Sequence, residues 1–113
     1  MNASADEAIV VFMTAGNRDE ASRLAEMLVN QRLAACVQIL PEMESVYRSQ
    51  GKIERQQEVL WIAKTWSSKF AALEGEVRAL HSYKTPEIVA LLLTAGSPAY
   101  LAWLSTSLTE NNS

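Results

Sequence analysis

His81, the only histidine in the chain, opens the stretch HSYKTPEIV at residues 81–89, and Tyr83, Lys84 and Glu87 follow it before an apolar run. Imidazole ligates metals, while phenol and carboxylate offer hydrogen bonds, so this stretch has the residue types of a ligand site. A lone histidine without a second nitrogen or sulfur donor close in sequence makes an incomplete metal site. It also has a structural task open to it at a helix end, where a ring nitrogen bonds the last carbonyls and a cation suits the dipole. Lys84 beside it works against binding a cation.

Four other residues could belong to a cleft. Cys36 sits in Ala-Ala-Cys-Val, where a free thiol behaves as a small buried hydrophobe unless its surroundings activate it. Lys64 closes one apolar run and Glu87 precedes another. Charges in such places either pair with each other or face a cleft, because desolvating them alone is costly. Tyr47 and Tyr83 have polar tips suited to a cleft wall, whereas Trp103 is expected in the core. Thr14-Ala15-Gly16-Asn17-Arg18 joins a strand to a helix, a place where anions can sit, but it lacks the glycine spacing of a phosphate loop. An acylphosphatase would require a longer glycine-containing loop with a catalytic arginine there, and Arg18 alone does not make that case. There is no Ser/His/Asp set, carboxylate pair, nucleotide fingerprint or Cys-x-x-Cys, so no enzyme is expected.

The elements that must position these residues follow from periodicity. Residues 8–13 form a short apolar run rich in β-branched and aromatic side chains, which suits a strand buried on both faces. Asn17 with Glu20 has the form of a capping box, and Ala21, Leu24, Ala25 and Leu28 recur at helical spacing up to residues 30–32. Residues 33–40 return to strand character, Pro41 interrupts, and residues 45–48 resume it as far as the turn at Gln50-Gly51. The return limb from Lys52 is polar, then apolar over residues 59–63, and limbs of about 12 to 15 residues reach about 40 to 50 Å, so the hairpin should overhang. Ser67 is placed to cap a second helix with Phe70, Leu73, Val77 and Leu80 in one stripe, ended before Pro86. Residues 88–93 make another strand, and Ser97-Pro98 starts a terminal helix. This order predicts an α+β, ferredoxin-like βαββαβ sandwich with a long β2-β3 hairpin and a C-terminal helix. A monomer would leave the second sheet face bare, with Trp61, Trp66 and the hairpin adding apolar surface, so a homo-oligomer is expected.

Composition bounds the partners. One domain spanning 1–113 is expected, with 1–7 and 109–113 flexible. Ten Lys and Arg against thirteen Asp and Glu give a net charge of -3; with both signs scattered, nucleic acid is not an expected partner. One cysteine cannot form an internal disulfide, the opening residues resemble no secretion signal, and no apolar run nears the roughly 20 residues of a membrane span. A cytoplasmic protein without a membrane role is the expectation.

Several separated motifs then agree with one family. Arg32-Leu33-Ala34-Ala35-Cys36-Val37 after the first helix, Tyr47 with Gly51 and Ile53 in the hairpin, Lys64-Thr65, His81-x-Tyr83-x-x-Pro86-Glu87-Ile88, and Tyr100-Leu101-x-Trp103-Leu104 resemble the CutA divalent-cation tolerance family over roughly residues 8–108. The resemblance implies a homotrimer whose hairpin arms pair between subunits, with the shared residues gathered in clefts at subunit boundaries. It implies a role in tolerance of, or response to, divalent metal cations, with no required cofactor and with copper or another divalent cation as the candidate ion. The copper ligands proposed in that family match Met13, Leu80 and His81, so His81 and Met13 are the remaining metal candidates. Ser49 stands where the family has tryptophan in the hairpin motif, and Ser82 replaces the proline after the histidine. The trimer is also similar to PII signalling proteins, which makes Cys36, Tyr47, Lys64, Tyr83 and Glu87 a candidate cleft for a small anion or metabolite. A third alternative is a structural trimer without ligand.

Overall fold

The computed structural model describes residues 6–109. In chain order it contains β1 (Ala8–Ala15), α1 (Arg18–Asn30), β2 (Cys36–Ser49), β3 (Lys52–Trp66), a short 3-10 turn (Ser67–Lys69), α2 (Phe70–Leu80), β4 (Ile88–Leu92) and α3 (Pro98–Thr109). The strands form one sheet in the order β2-β3-β1-β4, each neighbouring pair antiparallel. With α1 and α2 packed on one face, this is the expected ferredoxin-like sandwich. The expected flexible ends, 1–7 and 109–113, lie mostly outside the described residues.

Strand parity decides which side chains enter the core. Ile9, Val11, Met13 and Ala15 of β1 point to the same side as Val59, Trp61 and Ala63 of β3, and all pack against Ala21, Leu24 and Leu28 of α1 and Leu73 and Val77 of α2. Trp61 pairs with Met13 in the ladder, and both are fully buried. This corrects the expectation that Trp61 adds surface: the apolar run at 59–63 is two-faced, and Trp61 falls on the helix side. The alternate positions line a face that, over β4, no helix among the described residues covers, where Val89 is 51% and Leu91 57% exposed.

The arm is real and its register is broken once. Residues 52–58 of β3 pair only with β2, so the hairpin projects beyond β1 and stretches the chain to 47 Å along its longest axis. Leu40 pairs with Leu60 but Glu42 with Val59, leaving Pro41 as the extra residue of a bulge. Proline has no amide to lose there. One inserted residue switches parity, so beyond the bulge Ser45 and Tyr47 share a face with Gln56 and Glu58.

The helix ends follow local chemistry. Asn17 Oδ1 accepts from the Glu20 amide at 2.8 Å, as its cap role requires, and the Ser97 hydroxyl accepts from the Tyr100 amide ahead of Pro98 in the first turn of α3. Ser67 differs from expectation: it begins the 3-10 turn, and its hydroxyl donates to Asp6 instead of capping α2. Leu80 is 59% exposed and so leaves the buried stripe. Trp103 is 46% exposed, because α3 docks through Leu104 and Leu108 against Ala35 and Trp66, and Trp103 lies one position away on the helix.

Candidate functional site at the root of the arm

Tyr83 links three segments that are remote in sequence. Its hydroxyl donates to Glu58 Oε2 at 2.8 Å and accepts from Gln56 Nε2 at 3.1 Å, while Gln56 Oε1 accepts from the Tyr47 hydroxyl at 2.8 Å. Ser45 Oγ donates to the other carboxylate oxygen of Glu58 at 2.6 Å. The loop between α2 and β4 is thereby tied to both limbs of the arm. Burial, then the Glu58 carboxylate it bonds, push the Tyr83 phenol up to about 12, so it stays a donor at neutral pH. A cavity of about 320 Å³ opens beside this network, with Thr14, Thr85 and Glu87 completing its wall.

The His81 ring holds the loop from beneath. Nδ1 accepts from the Tyr83 amide at 3.0 Å, and an acceptor there leaves the ring proton on Nε2, which donates to the Thr14 carbonyl at 2.7 Å. Both nitrogens are therefore in use, and the ring lies against that of Tyr83 with centroids 4.7 Å apart. Glu20, buried at the start of α1, accepts from the Ser82 amide at 2.7 Å and the Ser82 hydroxyl at 2.9 Å. Burial pushes its carboxyl upward, but these two bonds from Ser82 and the Gly16 amide outweigh it and hold Glu20 below the usual carboxylate range. Ser82, at the position where the family resemblance expects proline, supplies a backbone donor and a hydroxyl that proline lacks.

A second polar group lies at the far end of the same sheet face. Cys36 pairs with Lys64 in the ladder; Cys36 Sγ is 3.5 Å from the Tyr100 hydroxyl, and Lys64 Nζ donates to Gln38 at 2.7 Å while lying 5.6 Å from the Tyr100 ring centroid. Burial, then Cys36, raise the Tyr100 phenol to about 12.

Of the residues singled out from sequence, Tyr47, Tyr83 and Glu87 meet in one cavity, whereas Cys36 and Lys64 do not. Lys64 lies six positions from Glu58 on β3, about 20 Å along the strand, so the described residues bring no Lys64–Glu87 ion pair together. Met13 is fully buried on the helix-facing side, opposite to its neighbour Thr14, which lines the cavity. Among the described residues no group of three or more His, Cys, Asp or Glu is arranged to hold a metal ion. Glu58 and Gln56 are given no site role by the sequence reading, and Glu20 enters it only as half of a capping box. The signal for Glu58 was its parity with Leu60 and Ile62 on the sheet, hidden in the hydrophilic stretch 54–58.

The geometry can be set beside known proteins. Residues 9–107 match the family described as CutA1 divalent ion tolerance protein. The chain belongs to the CutA1 family. It is 45% identical over 95 residues to the divalent-cation tolerance protein CutA of Thermus thermophilus, covering 84% of this chain and 92% of that one. It is 46% identical over 99 residues to the chloroplastic protein CutA of Arabidopsis thaliana, covering 88% of this chain and 54% of the relative. The chain thus spans about half the length of that plant relative. The solved structure of CutA1 from Oryza sativa superposes with a TM-score of 0.89 at 42% identity, covering 93% of this chain and 96% of that one. The solved structure of the periplasmic divalent cation tolerance protein CutA from Archaeoglobus fulgidus superposes with a TM-score of 0.86 at 39% identity, covering 89% of this chain and 98% of that one. Within this CutA1-family chain the motif at residues 32–37 closes α1 and enters β2, and the motif at 81–88 builds the cavity wall. Among the described residues no helix is long and apolar enough to cross a membrane.

Proposed function

We propose that this CutA1-family protein acts as a cytoplasmic homotrimer in divalent-cation tolerance, as a binding protein and not an enzyme, with its ligand site at the root of each hairpin arm. The observation that carries the reading is the bare half of the sheet. Val89 and Leu91 stand more than half exposed on a face where the arm also projects beyond β1. Apolar strand surface of this kind calls for another copy to cover it. A cytoplasmic setting also suits Cys36, a free and partly exposed thiol.

The cavity supports small-ligand binding of the kind PII-like trimers perform more than it supports a structural trimer without ligand. What weighs against copper held by His81 and Met13 is that the imidazole has both nitrogens bonded and the thioether is fully buried. What weighs against a small anion is a wall that carries Glu58 and Glu87 and no cation. Light scattering tests the assembly: three copies are expected for the wild type, and a Val89→Glu/Leu91→Glu double variant is expected to dissociate. A wild-type monomer at micromolar concentration refutes the reading.

A further inference from the structure

We propose that the cavity between Tyr83 and Glu87 takes a small organic ammonium ion. This deepens the small-ligand reading above and rests on it. Glu58 as a residue is only 8% exposed, yet the partners of its carboxylate among the described residues are two neutral hydroxyls, Ser45 and Tyr83, with no ion pair. Buried carboxylates are ordinarily matched by a cation. Of the lining residues on either side of Glu58 only Arg18 is cationic; it belongs to the neighbouring recess, shares it with Glu42, and makes no ion pair with Glu58. On the ligand side Glu87 adds a second negative charge.

The donor set separates an ammonium from a hard metal ion. Calcium and magnesium require many oxygen ligands in a tight shell, usually with carboxylates grouped around the ion, and no such group is present among the described residues. An ammonium needs three directional acceptors on one side, which a carboxylate and the hydroxyl oxygens of threonine and tyrosine supply. A volume of about 320 Å³ is at the lower end of pockets that hold organic ligands.

Calorimetric titration of the full chain with putrescine at low salt tests this, with magnesium and acetate as comparison ligands. Saturable putrescine binding is expected, weakened about tenfold or more by Glu58→Gln and by Glu87→Gln, and unchanged by Lys64→Ala at the far end of the sheet. Because Glu87 is exposed, its variant keeps the buried network intact and the test survives a misfolded Glu58 variant. The proposal is overturned by absence of saturable putrescine binding at millimolar concentration, by binding that both variants leave unchanged, by acetate binding there, or by magnesium displacing the diamine at that site. Light scattering on the same samples keeps the two readings apart: a trimer that ignores putrescine sinks the ligand class alone, and a monomer that binds it sinks the assembly alone.

Discussion

The Tyr83 hydroxyl donates to Glu58 Oε2 at 2.8 Å, joining the loop after α2 to the arm 25 residues away in sequence. Its removal leaves a buried carboxylate with one donor fewer, and Gln56 Nε2 without its acceptor. Tyr83→Phe is therefore expected to destabilise the fold by about 1–3 kcal/mol in denaturant titration. Hydrogen exchange should quicken along residues 45–58 while β1 and α1 stay protected. Uniform loss of protection across all elements contradicts the latch.

The same contact sets a titration. Burial and the Glu58 charge both raise the Tyr83 phenol, to about 12. In Glu58→Gln the charge is gone and burial remains, so the ultraviolet titration of Tyr83 should move down toward the ordinary tyrosine value of about 10 without reaching it. An unchanged midpoint means that burial alone produces the shift.

Glu20 gives the acid side of the stability curve. Its folded carboxyl titrates below the ordinary 4.5, so the unfolded chain binds the proton more tightly. The stabilisation is complete above the unfolded value and is lost as pH falls through the folded one. Glu20→Gln should cost about 1–3 kcal/mol at neutral pH and flatten the loss of stability below about pH 4.5. Equal slopes for variant and wild type would remove Glu20 from the acid limb; Asp6, held low by Ser68 and Ser67, is then the residue to substitute.

How much of this was legible depends on range. Asn17 with Glu20 and Ser97 with Pro98 gave helix starts because a cap is a contact over three residues, although Glu20 sends its carboxylate to Ser82 and not back to the cap. The strand order emerged from the sequence of elements. What escaped is set by pairing across the sheet. Trp61 lies in a run that is apolar on both faces, so nothing local says which face is covered. Glu58 follows Glu54, Arg55, Gln56 and Gln57, a stretch that reads as solvated; it is buried because a loop 25 residues on folds over it. Lys64 and Glu87 looked like partners as charges beside apolar strands, and the register leaves Lys64 outside the cavity that Glu87 lines.

The lone histidine makes its own state measurable. With Nδ1 accepting from Tyr83 and Nε2 donating to Thr14, the imidazole nitrogens should show the neutral pattern with the proton on Nε2 in nitrogen-correlated NMR. Addition of zinc or copper(I) should leave those signals in place, since a metal has to displace one of two buried bonds. A shift or loss of the His81 nitrogen signals at stoichiometric metal would instead restore His81 as a ligand.

Arg32 is strained for a reason that can be tested. Leu33 and Arg32 amides bond back to the Leu28 and Val29 carbonyls at 2.9 and 3.1 Å, the pattern that closes a helix, and Arg32 holds φ 58 where glycine is the usual occupant. A non-glycine residue in that region costs about 1 kcal/mol or more. The guanidinium Nη1 offsets this by donating at 2.8 Å to the Ser107 carbonyl near the end of α3. Arg32→Ala loses the clamp and keeps the strain, whereas Arg32→Gly loses the clamp and relieves it. The alanine variant should therefore be the less stable of the two by about 1 kcal/mol, and both should speed hydrogen exchange in α3. If glycine proves as damaging as alanine, backbone conformation is not what distinguishes this position.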